Sequence, residues 1–257
     1  MLLIGVDTGG TFTDIVFLRA VDPGRAAGTD PTVGAAIGTY KLLSTPDDPA
    51  RAVLQGLEAV RLVLAAQTPE SGGATAEVAV EADPEPRHVT HGSTVATNAL
   101  LERKGVVTAL ITNAGFEDIL EIGRQDRPRL YDLHPRKDPP LVPAALRFGV
   151  AGRIAHTGQE LEPLDEAGAR EVARRVLASG AASVAVGLLF SFANPAHERR
   201  VAEILAAEWT RAHPGAGGEG PGLAVSLSHE VLAEFREYER LSTTVINAYV
   251  SPRMRGY

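Results

Sequence analysis

Residues 7–14 read Asp-Thr-Gly-Gly-Thr-Phe-Thr-Asp, with two carboxylates, three hydroxyls and two glycines in eight positions. These are the groups that hold a phosphate and its metal ion. The flanking residues 2–6 and 15–18 are apolar enough for buried strands, so the octapeptide is the bend of a hairpin. With Gly9 and Gly10 as a two-residue turn, Thr8 stands opposite Thr11, Asp7 opposite Phe12, and Gly5 opposite Asp14. Period-two alternation then puts Asp7, Phe12 and Asp14 on one face and Thr8, Thr11 and Thr13 on the other. Asp7 and Asp14 become diagonal neighbours, ~7–8 Å apart at the alpha carbons, a spacing that suits a hydrated magnesium held through water. The glycines admit a ligand close to the backbone, and successive turn amides can form an anion nest. A plain tight hairpin, with capping threonines and solvated aspartates, also fits. Carboxylates flanking a turn between buried strands, where an unpaired charge is expensive, favour the metal–phosphate reading.

A second candidate is His-Gly-Ser-Thr at 91–94, where a strand ends and a helix begins. Strand carboxyl ends and helix amino ends both attract ligands in parallel sheets. Gly92, Ser93, Thr94 and, one turn on, Asn98 are expected to face a cleft and contact substrate or phosphate. An ordinary N-cap accounts for Ser93 or Thr94 equally well. His88 and His91, three apart on a strand, point to opposite faces, and no HExxH spacing occurs, so a zinc site is not expected. Residues 124–137 concentrate Arg124, Arg127, Arg129, Arg136 and Lys137 around Tyr131. Most of these read as a solvated loop, and Arg124 alone is taken as a guanidinium for substrate or phosphate. Further on, Phe235, Tyr238, Leu241, Val245 and Tyr249 form a helical core stripe, while Glu237, Arg240 and Thr244 serve a cleft or bond to one another. The GAGGEG at 215–220 matches a dinucleotide fingerprint by pattern only, with no strand before it and no apolar helix after it.

The elements that must position these groups are set by hydrophobic pattern. Strands are expected over 2–8, 11–18 and 37–43, then a helix over 48–66 with Val53, Leu57, Val60 and Leu64 in one stripe. Polar excursions are expected at 20–36, between the second and third strands, and at 67–86, after the helix. Strand–helix units come next: 87–91 into 93–105, 106–112 into 115–122, an irregular stretch over 123–163, and a helix over 165–178 stopped at Gly180. The run 183–190 leads to a helix starting at Asn194-Pro195, a flexible loop occupies 213–222, and a long helix runs from about 229 to 249. Continuous apolar strands alternating with helices imply parallel strands covered on both faces. Three antiparallel strands, a helix, then βα units is a ribonuclease-H-like order. The expected divisions are 1–122 as a lobe carrying the hairpin, 123–163 as an insertion, and 164–257 as further βα units with the long helix.

Composition is that of a globular protein, 44% hydrophobic and 22% charged, with a net charge of −7 and scattered Lys and Arg. That argues against a nucleic-acid surface. There is no cysteine, which excludes disulfides, thiolate metal sites and cysteine nucleophiles. No signal-like start or bilayer-length apolar run occurs, so a cytoplasmic protein without membrane contact is expected.

The segment IGVDTGGTFTDIVF resembles the first phosphate motif of the hydantoinase A/5-oxoprolinase family, in the actin-like ATPase superfamily. HGSTVATNALLERKG, GRQDRPRLYDL, SVAVGLLFSFANPAHERRVAEI and SHEVLAEFREYERLSTTVINAYVSPRM also resemble family segments, in the family's order. The resemblance implies an actin-like lobe and ATP-dependent chemistry, the activation of a cyclic amide for ring opening. Alternatives are activation of a ketone for carboxylation, as in acetone and acetophenone carboxylases, or a non-catalytic nucleotide-binding module. Carried onto this chain, Asp7 would help hold Mg²⁺ and orient water or substrate, Asp14 would serve as a metal-water ligand, and Thr8, Gly9, Gly10 and Thr11 would contact the terminal phosphates of ATP. Such chemistry needs mainly positioning and charge neutralisation. The partners implied are a small-molecule substrate, a second large subunit and a homo-oligomer. No second glycine-rich phosphate segment occurs, and family members continue beyond residue 257, so the resemblance implies an N-terminal lobe inactive by itself.

Overall fold

A computed structural model of the chain describes residues 2–19, 36–45, 48–66, 88–126, 131–134, 137–214 and 222–255. Most of the excursions expected at 20–36 and 67–86, most of the loop at 213–222, and Arg127, Arg129 and Arg136 lie outside the described residues. The chain is mixed α/β and divides into two compact units, one up to Asn98 and one from Ala99 onward.

In the first unit, β1 (Leu2–Thr8), β2 (Phe12–Arg19), β3 (Ala36–Leu43) and β4 (His88–Ser93) form one sheet in the order β3-β2-β1-β4. The first three strands are antiparallel and β4 runs parallel to β1. Alternation sends Leu2, Ile4, Val6, Ile15 and Phe17 to one face, where they pack on Val53, Leu57, Val60 and Leu64 of α1 (Pro49–Ala66). The expected helical stripe is therefore the one that is buried. Each fully buried aliphatic or aromatic side chain contributes roughly 1.5–3 kcal/mol. Gly56 permits the close approach, since a Cβ there would lie 2.1 Å from Ile15 Cδ1.

The opposite face departs from expectation. Phe12 and Val16 are exposed, and all six residues of β4 are exposed. Among the described residues, α1 covers one face of this sheet and nothing in the unit covers the other. Only the second unit obeys the rule of two covered faces.

There, β5 (Thr108–Asn113), β6 (Arg147–Val150), β9 (Ser183–Val186) and β10 (Ala224–Leu227) are all parallel, in the order β10-β9-β5-β6. Every residue of β5 is buried, as a continuous apolar run predicts. One face packs on α4 (Glu166–Ala178) and α5 (Ala196–Ala212) through Val172, Val176, Val201 and Leu205. The other packs on α7 (Glu237–Met254) through Val245 and Ala248, joined by Leu120 of the single-turn α3 (Ile119–Ile122) and by Val142. Helix α4 starts where Asp165 accepts from the amides of Ala167 and Gly168, each at 3.1 Å. It ends at Gly180, whose φ of +77° suits glycine, as expected. At the start of α5, Asn194 Oδ1 accepts from Ala196 N at 3.0 Å.

Two expectations need correction. The stretch 123–163 is not wholly irregular: β6 joins the sheet, and β7 (Arg153–Ile154) and β8 (Glu160–Glu162) form a short antiparallel ladder. The long helix from 229 is broken into α6 (Ser228–Val231) and α7, with Arg236 at φ +76° between them. Phe235 accordingly leaves the core stripe and is exposed, whereas Leu241, Val245 and Tyr249 stay buried.

The break serves a buried polar hub. Glu198, fully buried, accepts from Leu188 N at 2.8 Å, Ser228 Oγ at 2.6 Å, His229 N at 3.1 Å and His229 Nδ1 at 2.7 Å. Burial acts to raise its pKa, but the bonds from His229, Ser228 and the two amides outweigh it and hold the carboxyl below its ordinary value. Arg240, equally buried, donates to Ser228 Oγ at 3.0 Å and Leu188 O at 2.7 Å and pairs with Glu237. Thr244 Oγ1 donates to Arg240 O at 2.7 Å. Of the two roles open to Glu237, Arg240 and Thr244, the structure shows them bonding to one another. Helix α2 (Val95–Leu101) carries the chain from the first unit into the second. Among the described residues, no helix is long and apolar enough to cross a membrane.

Candidate functional site

The hairpin turn is longer than two residues. Thr8 pairs with Thr13 and Asp7 with Asp14, so Gly9 to Phe12 form a four-residue loop. The parity argument survives: Asp7 and Asp14 share the open face, while Thr8 and Thr13 are buried on the other. The diagonal placement does not. Directly opposed residues stand ~4.5–5.5 Å apart at the alpha carbons, so the two carboxylates are closer than the two-residue turn predicts.

Their surroundings differ. Asp14 forms an ion pair with Lys41 of β3, whose Nζ lies 2.9 Å from Oδ1 and 4.7 Å from the Phe12 ring centroid. The Asp7 carboxylate has no bonded partner among the described residues. No cluster of three or more metal-ligating side chains occurs among them either.

The loop is held from outside. Gly9 N donates to Phe12 O at 2.9 Å, Ser44 N donates to Thr11 O at 2.9 Å, and Ser44 Oγ donates to Gly9 O at 2.8 Å while lying 3.0 Å from Thr13 Oγ1. These bonds occupy the carbonyls of Gly9, Thr11 and Phe12. The amides of Gly10 and Thr11 have no protein acceptor among the described residues. Thr8 turns its hydroxyl inward, 3.1 Å from His91 Nε2, and Thr11 is exposed.

The end of β4 joins this loop. Asp7 pairs with Gly92 and Thr8 with Ser93, and a Cβ on Gly92 would lie 3.8 Å from Asp7 Oδ1. Thr94 N donates to Thr8 O at 3.0 Å, and Asn98 Nδ2 donates to Thr94 Oγ1 at 3.3 Å. A Cβ on Gly10 would lie 2.9 Å from Asn98 Nδ2. Ser93 Oγ accepts from Val95 N at 3.2 Å, which is the geometry of an ordinary cap.

The structure thus brings Asp7, Thr8, Gly9, Gly10, Thr11, Asp14, Gly92, Ser93, Thr94 and Asn98 together in one unit. Arg124 is in the other, where its guanidinium pairs with Glu239 at 2.8 Å and each partner's pKa moves to favour its charged form. Lys41 and Ser44 are neighbours of the loop that the residue pattern does not single out. Their signal is positional: the register of β3 on β2 sets Lys41 opposite Asp14, and Ser44 follows the strand end at Leu43 beside the loop.

The same arrangement can be set beside known proteins. Residues 3–209 match the family model described as the hydantoinase/oxoprolinase N-terminal region. The chain is 35% identical to the caprolactamase alpha subunit of Pseudomonas jessenii over 99% of its own length and 32% of that protein. Two solved structures are similar over 98% of this chain and 32% of theirs. One is nucleotide-free acetone carboxylase, described as ATP-dependent (27% identity, TM-score 0.76), and the other is the ATP-dependent caprolactamase of P. jessenii (34% identity, TM-score 0.69). The chain spans about a third of the length of these relatives. A match over most of the chain, with the glycine hairpin inside it, means that this protein belongs to the hydantoinase/oxoprolinase family, in its N-terminal region.

Proposed function

We propose that the β1–β2 loop is the phosphate-binding hairpin of a ribonuclease-H-like, actin-like lobe, and that the lobe serves an enzyme using Mg·ATP to activate a ring amide of the hydantoin or 5-oxoproline type for hydrolysis. The strand order β3-β2-β1-β4, antiparallel then parallel, supports the fold assignment. The observation that carries the function is the pair of unpartnered amides at Gly10 and Thr11, in a loop whose Gly9 and Thr11 carbonyls accept from Ser44 and whose Phe12 carbonyl accepts from Gly9 N.

The donor set fits the cofactor. Magnesium keeps several waters and is commonly bound through one or two carboxylates plus substrate phosphates, so the lack of a three-carboxylate cage among the described residues is compatible with it. Asp7, unpartnered beside the loop, is the group that would hold Mg²⁺ and orient water. Asp14 acts one step removed, with Lys41 balancing its charge. Gly10 and Thr11 offer the terminal phosphates their amides, while Gly9, whose amide bonds to Phe12 O, and Thr8, whose carbonyl accepts from Thr94 N, hold the loop beside them. Gly92, Ser93, Thr94 and Asn98 line the adjoining side for substrate or phosphate. Arg124 remains a proposed substrate contact, with Glu239 as its present partner. When bound, ATP supplies the driving force that makes the ring amide reactive toward water.

A carboxylase role is the second reading, favoured by the TM-score of 0.76 with acetone carboxylase. The subunit naming of the caprolactamase relative supports a second large subunit under either reading. Calorimetry with Mg·ATP tests the common core. Asp7→Ala should weaken binding about tenfold or more, the scale of one lost charge-assisted contact. Equal tight binding by both proteins would sink the assignment. Phosphate release by the assembled enzyme, dependent on a lactam but not on a ketone, would separate amidase from carboxylase, and release dependent on neither would mark a non-catalytic module.

A further inference from the structure

The second unit contains a crevice of about 340 Å³ that the phosphate hairpin does not use. Its walls are the carboxyl ends of two neighbouring parallel strands, Asn113 of β5 and Val150 and Gly152 at the end of β6, with Arg153 and Glu162 at its rim. After β5 the chain leaves toward the α7 face, through α3 and Val142; after β6 it leaves toward the opposite face, through α4. The two connections diverge, and this divergence opens the crevice. In open α/β sheets ligands bind in crevices outside the carboxyl ends of the strands. The volume lies at the lower end of the range for small-molecule sites.

The walls are preformed. Asn113 Oδ1 accepts from Leu189 N at 2.8 Å and its Nδ2 donates to Gly152 O at 2.7 Å, so the side chain ties the two strand ends to the loop after β9. Gly152 has φ +141°, and a Cβ there would come within 3.0 Å of Leu164 Cα and 3.3 Å of His197. Only glycine fits that bend.

The rim carries one charge of each sign, and neither is neutralised. Arg153 and Glu162 are ladder partners across β7 and β8, where a salt bridge would be routine. The register slips between Arg153 and Ile154, and such a slip re-aims side chains. Among the described residues no carboxylate lies within ion-pair distance of the Arg153 guanidinium, and Glu162 has no cationic partner. The guanidinium rests instead 5.8 Å from the Phe116 ring centroid. A planar fork held against an aromatic face is a carboxylate-recognition group, and the free Glu162 carboxylate complements an ammonium.

We propose that this crevice binds a small zwitterion with one carboxylate and one ammonium group, an amino acid in the broad sense, with Arg153 taking the carboxylate and Glu162 the ammonium. The site stands independently of the nucleotide reading. If that reading holds, the occupant has the chemistry of a hydrolysed lactam, which carries both groups, and the crevice is a product-type site separate from the phosphate loop.

The test is calorimetry of the chain without nucleotide, against straight-chain amino acids from glycine to 6-aminohexanoate, with propionate and propylamine as single-charge probes. At least one amino acid should bind about tenfold more tightly than either probe. Arg153→Gln should weaken it about tenfold, and Glu162→Gln should weaken the amino acid while leaving propionate unchanged. Thermal melts check that both variants fold. Failure of the whole amino-acid series to bind overturns the proposal, as does propionate binding equally well with no response to Glu162→Gln. Neither result bears on Mg·ATP binding, which is measured separately.

Discussion

Two acidic side chains, Asp7 and Glu198, define the difference between the two units. Asp7 stands on an open sheet face with no protein partner among the described residues, beside amides that also lack one. Glu198 is fully enclosed and accepts four hydrogen bonds. A carboxylate is tolerable in either place for opposite reasons. Water solvates the first and a saturated shell of donors replaces water for the second. Unsatisfied groups clustered at an exposed turn are available to a ligand, whereas satisfied groups in a core specify the fold. Substitutions in the two units should therefore separate cleanly into binding defects and stability defects.

The sharpest break of this contrast is Glu198→Ala. It leaves the Leu188 amide, the Ser228 hydroxyl and both His229 donors without their common acceptor and should cost about 3–5 kcal/mol in urea denaturation. A loss below about 1 kcal/mol would show that the hub is not structural. Gly10→Ala probes the other side. The added methyl meets the flexible end of Asn98, so stability should fall by no more than about 1 kcal/mol. Mg·ATP affinity should drop about tenfold as the loop amides are displaced, and a large stability loss with unchanged affinity would reverse the assignment. Lys41→Ala removes an exposed ion pair and should change stability by under about 1 kcal/mol by thermal melting. A clear effect on nucleotide affinity without one on stability would tie Lys41 to the site.

The smallest effect is one of pH. Glu166 joins α4 to α5, with hydrogen bonds from Arg200 and then Arg170 holding its pKa down to about 2. Because the folded value is depressed, this contribution is fully present above the ordinary carboxylate range, near pH 4, and is lost as pH falls through about 2. The difference in stability between the protein and Glu166→Gln, followed by denaturant unfolding, should shrink across that window. A difference that stays constant would remove the clamp from consideration.

How much of the fold and of the site is legible in the residues depends on the range of the interaction. Strand parity places Asp7 and Asp14 on one face because alternation is local and survives an error in turn length. The register itself is not legible, since a four-residue loop and a glycine pair leave the same trace in composition. The helix stripe of Val53, Leu57, Val60 and Leu64 is readable for the same local reason as the parity. The break after α6 is not. Ser228 and Arg240 look compatible with one continuous helix until Glu198, 30 residues before Ser228, takes the Ser228 hydroxyl that Arg240 also meets. Lys41 and Ser44 are invisible because their roles depend on which residues β3 faces. The Arg153–Glu162 rim is invisible because a register slip, not the residue types, keeps the two apart.

The Glu198 hub has a consequence for the order in which the chain acquires structure. The hairpin of β1 and β2 closes over a few residues and can form as soon as they exist. The hub needs residues 188, 198, 228, 229 and 240 in one place, and each loop closed to bring them together costs entropy before any bond repays it. Until then a carboxylate, an imidazole and a guanidinium remain hydrated at positions that must become dry. The second unit is therefore expected to reach its native packing in a late, cooperative step in which expelling water from those groups coincides with docking α7 onto the sheet.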